Sequence, residues 1–176
     1  MGFGKSISEV SAILQQTIEN SRALTFDLCP PILYDLGLAP AVDWLAEQVE
    51  KAHELKVNFV DDGKPKPLSN ELRNTMYTGA REALLNIVKH ARAKNVWIDI
   101  RRVDGDIVLA IEDDGVGFEL QTAGSGDPKN GGGFGLSNLR ERMTHLGGRF
   151  EIDSSAGKGT RITFAAPGTT SSGKRS

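Results

Sequence analysis

Glu82, Asn86, Lys89 and His90 place a carboxylate, an amide, an ammonium and an imidazole in one short stretch of chain. In a helix, Glu82 and Asn86 are four apart and therefore neighbours on one face, with Lys89 and His90 a further turn along near the same edge. A carboxylate and an amide oxygen suit a hard cation such as Mg²⁺, and an ammonium suits a phosphate. Taken alone, the same residues would also describe a surface helix with a salt-bridged polar face.

Three more clusters sharpen this. Asp113-Asp114-Gly115-Val116-Gly117-Phe118 follows a run of strand formers. Its two glycines at alternate positions let backbone approach a flat ligand closely. Asp113 is acceptor-only when ionised, so it can take a hydrogen bond from an exocyclic amine such as that of adenine. Gly131-Gly132-Gly133-Phe134-Gly135-Leu136 leads into a helix start, where free N–H groups and the helix dipole favour an anion. It is not a P-loop, because no Gly-Lys-Ser/Thr ending is present. Gly157-Lys158-Gly159-Thr160 is a turn between two strands. Each piece has an ordinary reading as a turn or linker.

The elements that must position these residues can be read from periodicity. Ser6–Leu28 carries apolar residues at a/d-like spacing (Ile7, Val10, Leu14, Leu24) and predicts a helix that needs a partner. Pro30-Pro31 ends it. A second helix is predicted over Pro40–Glu54, its stripe being Val42, Leu45, Ala46 and Val49. Lys56–Val60 alternates like a strand. Ser69 is placed to cap a helix reaching about Ala91, with Ala83, Leu84, Ile87, Val88 and Ala91 as its apolar stripe. Asn95–Val103 and Asp106–Glu112 are strands joined by the hairpin signal Asp104-Gly105. Leu136–Leu146 reads as a helix closed by Gly147-Gly148. Arg149–Asp153 and Thr160–Ala165 are two more strands. Helices set apart from hairpin-linked strands predict an α+β fold, a two-layer α/β sandwich with a mixed sheet covered on one face.

Composition bounds the class. The chain has 176 residues, with 39% hydrophobic and 25% charged, as in a globular protein. A net charge of −2 argues against a nucleic-acid binder. The single cysteine, Cys29, excludes an internal disulfide framework or a cysteine-rich metal site. No apolar run reaches the roughly 18 residues of a membrane span, and the N-terminus has no signal-peptide core.

The order Glu82-x-x-x-Asn86-x-x-Lys89-His90, Asp113-x-Gly115-x-Gly117, Gly133-x-Gly135-Leu136, Gly157-x-Gly159-Thr160 resembles the GHKL ATPase superfamily of gyrase B, Hsp90, MutL and the histidine kinases. The stretches Phe26–Leu38, Lys89-His90-Ala91 and Gly135–Arg142 are similar to the sensor histidine kinases that partner NarL-type response regulators. The resemblance covers Ser6 to Pro167. It implies a Bergerat-type ATP-binding fold preceded by a dimerisation-type helix. The expected divisions are 1–30 (second helix of a dimerisation and phosphotransfer hairpin), 31–167 (ATP-binding catalytic domain) and 168–176 (disordered tail).

The resemblance also implies roles. Asn86 is the protein ligand to Mg²⁺. Glu82 orients a metal-bound water or helps as a base. Lys89 neutralises phosphate charge, and His90 with it. Asp113 reads the adenine amine, Gly117 allows close stacking, and Thr160 supports the base through its hydroxyl. The segment Gly115–Gly135, with Gly133, Gly135 and Leu136 at its end, forms a lid over ATP. Residues 120–130 have no apolar periodicity, so this lid is expected to be mobile without nucleotide and ordered by it.

One departure from the family pattern matters. The acceptor histidine there lies on the first helix of the dimerisation hairpin, whereas His53, His90 and His145 do not start such a helix. The chain is therefore expected to be the C-terminal part of a larger sensor kinase. It would transfer the γ-phosphoryl of ATP to a histidine outside this sequence, for relay to a response regulator with a NarL-type output domain, and it would lie in the cytoplasm, in a dimeric parent protein with or without a membrane anchor. The competing readings are a gyrase- or chaperone-like ATPase, which carries a transducer domain after its nucleotide site, an anti-sigma-factor serine kinase, which lacks the Ser6–Leu28 helix, and a degenerate nucleotide sensor.

Overall fold

The hairpin at the centre of the sheet shows how local chemistry sets the architecture. Asp104 (φ 51°) and Gly105 (φ 95°) are both left-handed, as a two-residue turn matching the twist of its strands requires. Strands β2 (Asn95–Val103) and β3 (Asp106–Asp113) run back from it in register, Val103 opposite Asp106 and Val96 opposite Asp113.

A computed structural model of the protein describes residues 31–119 and 134–169. The expected Ser6–Leu28 helix, Gly131–Gly133 and the body of the lid lie outside the described residues. The chain divides into Met1–Pro31 and Ile32–Ser176, and the described residues make up most of the second unit together with the helix that opens it.

That unit starts with α1 (Pro31–Asp35) and α2 (Leu38–Ala52). The short α1 was not expected, and α2 begins two residues before Pro40, which sits in its first turn. The predicted stripe Val42, Leu45, Ala46 and Val49 is buried. Strand β1 (Lys56–Asp61) follows. Helix α3 (Asn70–Asn86) is capped as expected: Ser69 Oγ accepts the Leu72 N–H at 3.2 Å, an interaction that contributes about 1 kcal/mol. After β2 and β3 come α4 (Phe134–His145), β4 (Arg149–Ser154) and β5 (Thr160–Pro167). Gly168 and Thr169, the first residues of the expected tail, donate backbone hydrogen bonds to Gly105 and Pro67.

The sheet order is β1-β2-β3-β5-β4. Only β1 and β2 are parallel, and every other neighbour is antiparallel, so the sheet is mixed. One face carries Val96, Ile98 and Ile100 of β2, Ile107, Leu109 and Ile111 of β3, and Ile162, Phe164 and Ala166 of β5, all buried. Helices α2, α3 and α4 cover this face, with α3 in the middle over β3 and β5. The other face alternates out to ion pairs, among them Arg161–Glu112 at 2.7 Å and Arg149–Asp106 at 2.9 Å. The result is the expected two-layer sandwich. Among the described residues, no helix is long and apolar enough to cross a membrane.

Candidate functional site

Asn86 is the last residue of α3. Beyond it the helix widens into a π-turn, Ile87–Ala91, ended by Arg92 in a left-handed conformation (φ 51°). The carbonyl of Ala91, at the end of that turn, accepts the Val116 N–H at 2.8 Å, tying the end of α3 to the loop after β3. A π-turn adds a residue to the turn and often marks a functional site. It also changes which side chains share a face. His90, four residues after Asn86, lines the same cavity as Asn86, whereas Lys89 does not, although both residues are exposed.

At the adjoining end of the sheet, Asp113 closes β3, and its register partner across the ladder is Thr160, the first residue of β5. Asp113 is 4% exposed. Burial pushes its carboxyl above the ordinary carboxylate range, against the Gly115 N–H that donates to it at 2.8 Å. The neighbouring Asp114 charge pushes the same way as burial. Asp114 has the opposite environment. Its carboxylate accepts the Asn95 N–H at 2.9 Å, the Asn95 side-chain amide at 2.7 Å and the Lys94 N–H at 2.7 Å. The Asn95 contacts stabilise the ionised form and hold its pKa below the ordinary carboxylate range.

Glycines permit the close approach of the β3 loop to the β4–β5 turn. Gly117 has φ 57°, and a Cβ there would collide with the carbonyl oxygens of Ser155 and Gly159. Gly159 has φ 75°, and its Cβ would strike the Asp113 carbonyl. Each is therefore needed for its missing side chain as well as for its backbone angle.

These elements enclose a cavity of about 470 Å³, within the usual range for small-molecule sites. Its apolar walls are Ala83, Ile87, Ala91, Ile111, Val116, Phe118, Leu136 and Ile162. Its polar groups are few: Asn86, His90, Asp113 and Thr160. Of the residues singled out by sequence, Asn86, His90, Asp113, Gly117, Leu136 and Thr160 line it. Gly115 stands behind Asp113 as a hydrogen-bond donor. Gly135 lies in the first turn of α4, and Gly133 is outside the described residues. Glu82 and Lys89 do not line the cavity. Glu82 is half-buried one turn before Asn86, and the π-turn accounts for Lys89.

Among the described residues, no group of three or more His, Cys, Asp or Glu could hold a metal on its own. Asn86 supplies one neutral oxygen. Such a donor fits Mg²⁺ only where a substrate's phosphates and water complete its octahedron, which is how Mg²⁺ is commonly held.

Sequence reasoning missed Ser154. It is buried at the end of β4, opposite Thr160 in the ladder. Its hydroxyl lies 2.9 Å from Thr160 Oγ1 and accepts the Phe118 N–H at 2.9 Å. Counting back symmetrically across the turn from Thr160 would have found it. Asp114 likewise has a role that its motif does not announce, tying the β3 loop to Lys94 and Asn95.

Residues 72–170 match the family described as histidine kinase-, DNA gyrase B- and HSP90-like ATPases. A sensor-like histidine kinase of Chloroflexus aurantiacus is 33% identical over 92% of this chain and 27% of that protein. The oxygen sensor histidine kinase NreB of Staphylococcus carnosus is 31% identical over 90% of this chain and 44% of that protein. The chain thus spans less than half the length of these relatives. Among solved structures, the histidine kinase domain of the Erythrobacter litoralis blue-light-activated kinase superposes with a TM-score of 0.57 at 21% identity, covering 74% of this chain and 60% of that one. Acinetobacter baumannii AdeS gives 0.58 at 16% identity, covering 94% and 84%. At these identities the superpositions speak for the fold, and the family match extends over more than half the chain. The chain belongs to the histidine kinase-, DNA gyrase B- and HSP90-like ATPase family.

Proposed function

We propose that this chain is the catalytic part of a sensor kinase, binding Mg·ATP in the cavity and directing its γ-phosphoryl to a histidine on another segment. The observation that carries the reading is the meeting of Asn86, His90, Asp113 and Thr160 in one largely apolar cavity. The adenine amine donates to Asp113, and the base lies between the aliphatic walls with its edge near Thr160. Asn86 holds Mg²⁺ from the protein side, and the ion supplies charge neutralisation for the phosphates. His90 faces the phosphates from within the cavity, and Lys89 reaches them only where they emerge. Glu82, behind Asn86, orients a water or accepts a proton.

Phosphoryl transfer is mostly positioning and charge neutralisation, which this donor set provides. In the transfer, the bond from the γ-phosphorus to its bridging oxygen breaks, a phosphorus–nitrogen bond to the acceptor imidazole forms, and ADP leaves. The acceptor is none of the chain's three histidines. His90 belongs to the site, while His53 and His145 sit at helix ends. The partners in this reading are the rest of a homodimeric sensor kinase and a response regulator with a NarL-type output domain, on the cytoplasmic side of any membrane anchor.

The test is incubation with γ-labelled ATP and Mg²⁺. The chain alone is expected to bind ATP without labelling itself, and a separate polypeptide carrying a histidine-bearing dimerisation helix is expected to become labelled when both are present. Absence of ATP binding would overturn the reading.

A further inference from the structure

Asp113, Thr160 and Ser154 stand side by side across β3, β5 and β4, each opposite the next in the ladders. Register partners share a face. The first two line the cavity and the third does not. Ser154 is nevertheless the most fully engaged. Its hydroxyl accepts the Phe118 N–H at 2.9 Å, lies 3.1 Å from the Gly159 carbonyl oxygen, and lies 2.9 Å from Thr160 Oγ1.

Counting protons gives these contacts a direction. A serine hydroxyl has one proton and two lone pairs. Phe118 takes one lone pair. The Gly159 carbonyl can only accept, so its contact requires the Ser154 proton. The contact with Thr160 must then be Thr160 donating to the second lone pair. With its proton turned toward Ser154, Thr160 offers the cavity only lone pairs. Asp113, beside it, offers a carboxylate.

We infer that Ser154 is a positioning residue that holds the Thr160 hydroxyl as an acceptor toward the nucleobase. The base end of the cavity then presents two acceptors. It favours a purine with an amine at the six position and disfavours one with a carbonyl there, whose oxygen would face lone pairs. The inference rests on the nucleotide reading above and adds a residue that touches no ligand. Removing the Ser154 hydroxyl frees the Thr160 proton to turn into the cavity and meet a carbonyl.

The test is calorimetric titration of the whole chain with ATP and with inosine triphosphate, for the native sequence, Ser154→Ala, Thr160→Val and the double variant. Ser154→Ala is expected to lower the ATP-to-ITP affinity ratio by roughly three- to tenfold, the range set by one hydrogen bond. In the Thr160→Val background the same change should leave the ratio where it is, because the residue it acts through is gone. Ser154→Thr keeps the hydroxyl and should keep the native ratio. Equal weakening of both nucleotides by Ser154→Ala would mean a packing role and overturn the inference, as would an effect that persists without Thr160. If Ser154→Ala does not fold, Thr160→Val alone decides, since an unchanged ratio there removes the acceptor on which the inference depends. A native chain that binds neither nucleotide would instead overturn the function proposed above.

Discussion

Asp113 and Thr160 stand directly opposite each other where β3 and β5 begin to diverge, and both side chains line the cavity. The groups assigned to the nucleobase thus come from one rung shared by adjacent strands of the sheet. Asn86 comes from the helix across the cavity, and Ala91, at the end of the widened turn that follows, is tied to the sheet's loop by the Val116 N–H. The base end is rigid because it is built on paired strands, with Ser154 as a third member of the row.

Asp113→Asn should separate binding from stability. The substituted amide can still accept the Gly115 N–H, but it offers the adenine amine a neutral oxygen. Hydrogen bonds to charged groups contribute roughly 1.5–3 kcal/mol, so ATP affinity should fall about 10- to 100-fold by calorimetry. The folded carboxyl is raised by burial, so its charge costs stability, and that cost grows as pH rises above the ordinary 3.8 through the folded value. At pH 7 the nucleotide-free variant should therefore melt no lower than the native chain. A lower melting temperature would contradict the burial argument.

Asp114→Ala should act in the opposite sense. Its folded carboxyl is held low by the Asn95 backbone and side-chain donors, assisted by Lys94. That stability is fully present above the ordinary 3.8 and is lost as pH falls through the folded value. Because the group is solvent-exposed, the loss at pH 7 should be modest, about 1 kcal/mol or roughly 3 °C in melting temperature. The difference from the native chain should vanish in acid. A difference that is constant from pH 7 to pH 2 would exclude the carboxylate as its source.

Asn86→Ala should remove the metal-dependent part of nucleotide binding. With Mg²⁺ present, ATP affinity should fall about tenfold or more. With Mg²⁺ chelated, the variant and the native chain should bind alike, because Asp113 and Thr160 are untouched. An equal loss with and without Mg²⁺ would assign Asn86 to the base or to packing.

Gly117→Ala should destabilise the fold along with the site. The added Cβ meets two backbone carbonyls, which cannot swing aside as a side chain can. With the left-handed backbone penalty added, the cost should exceed about 2 kcal/mol, visible as a fall of several degrees in thermal melting. Near-native melting would show that the β4–β5 turn yields easily.

Much of this was legible in the sequence because local rules and tertiary structure agree. Ser69 caps α3 as its type and position foretell, Asp104-Gly105 makes the hairpin, and alternating residues of β2 and β3 bury one face. The site was legible as a set of polar and glycine residues whose order resembles a known family. The place of Lys89 off the cavity was not, because an α-helical period cannot announce the π-turn at Ile87–Ala91. Ser154 was also hidden, since its importance comes from pairing across a ladder rather than from a motif. The short α1 was obscured because Pro30-Pro31 reads as a helix end, whereas Pro31 opens α1.

The central claim is that Asn86, Asp113, Leu136 and Thr160 surround one nucleotide and its divalent ion. A crystal structure of the chain with Mg²⁺ and a non-hydrolysable ATP analogue tests it most directly. The account predicts the adenine amine within hydrogen-bonding distance of Asp113, the metal on Asn86, and the phosphates leading toward the start of α4. A nucleotide bound elsewhere, or a base facing away from Asp113, would contradict it.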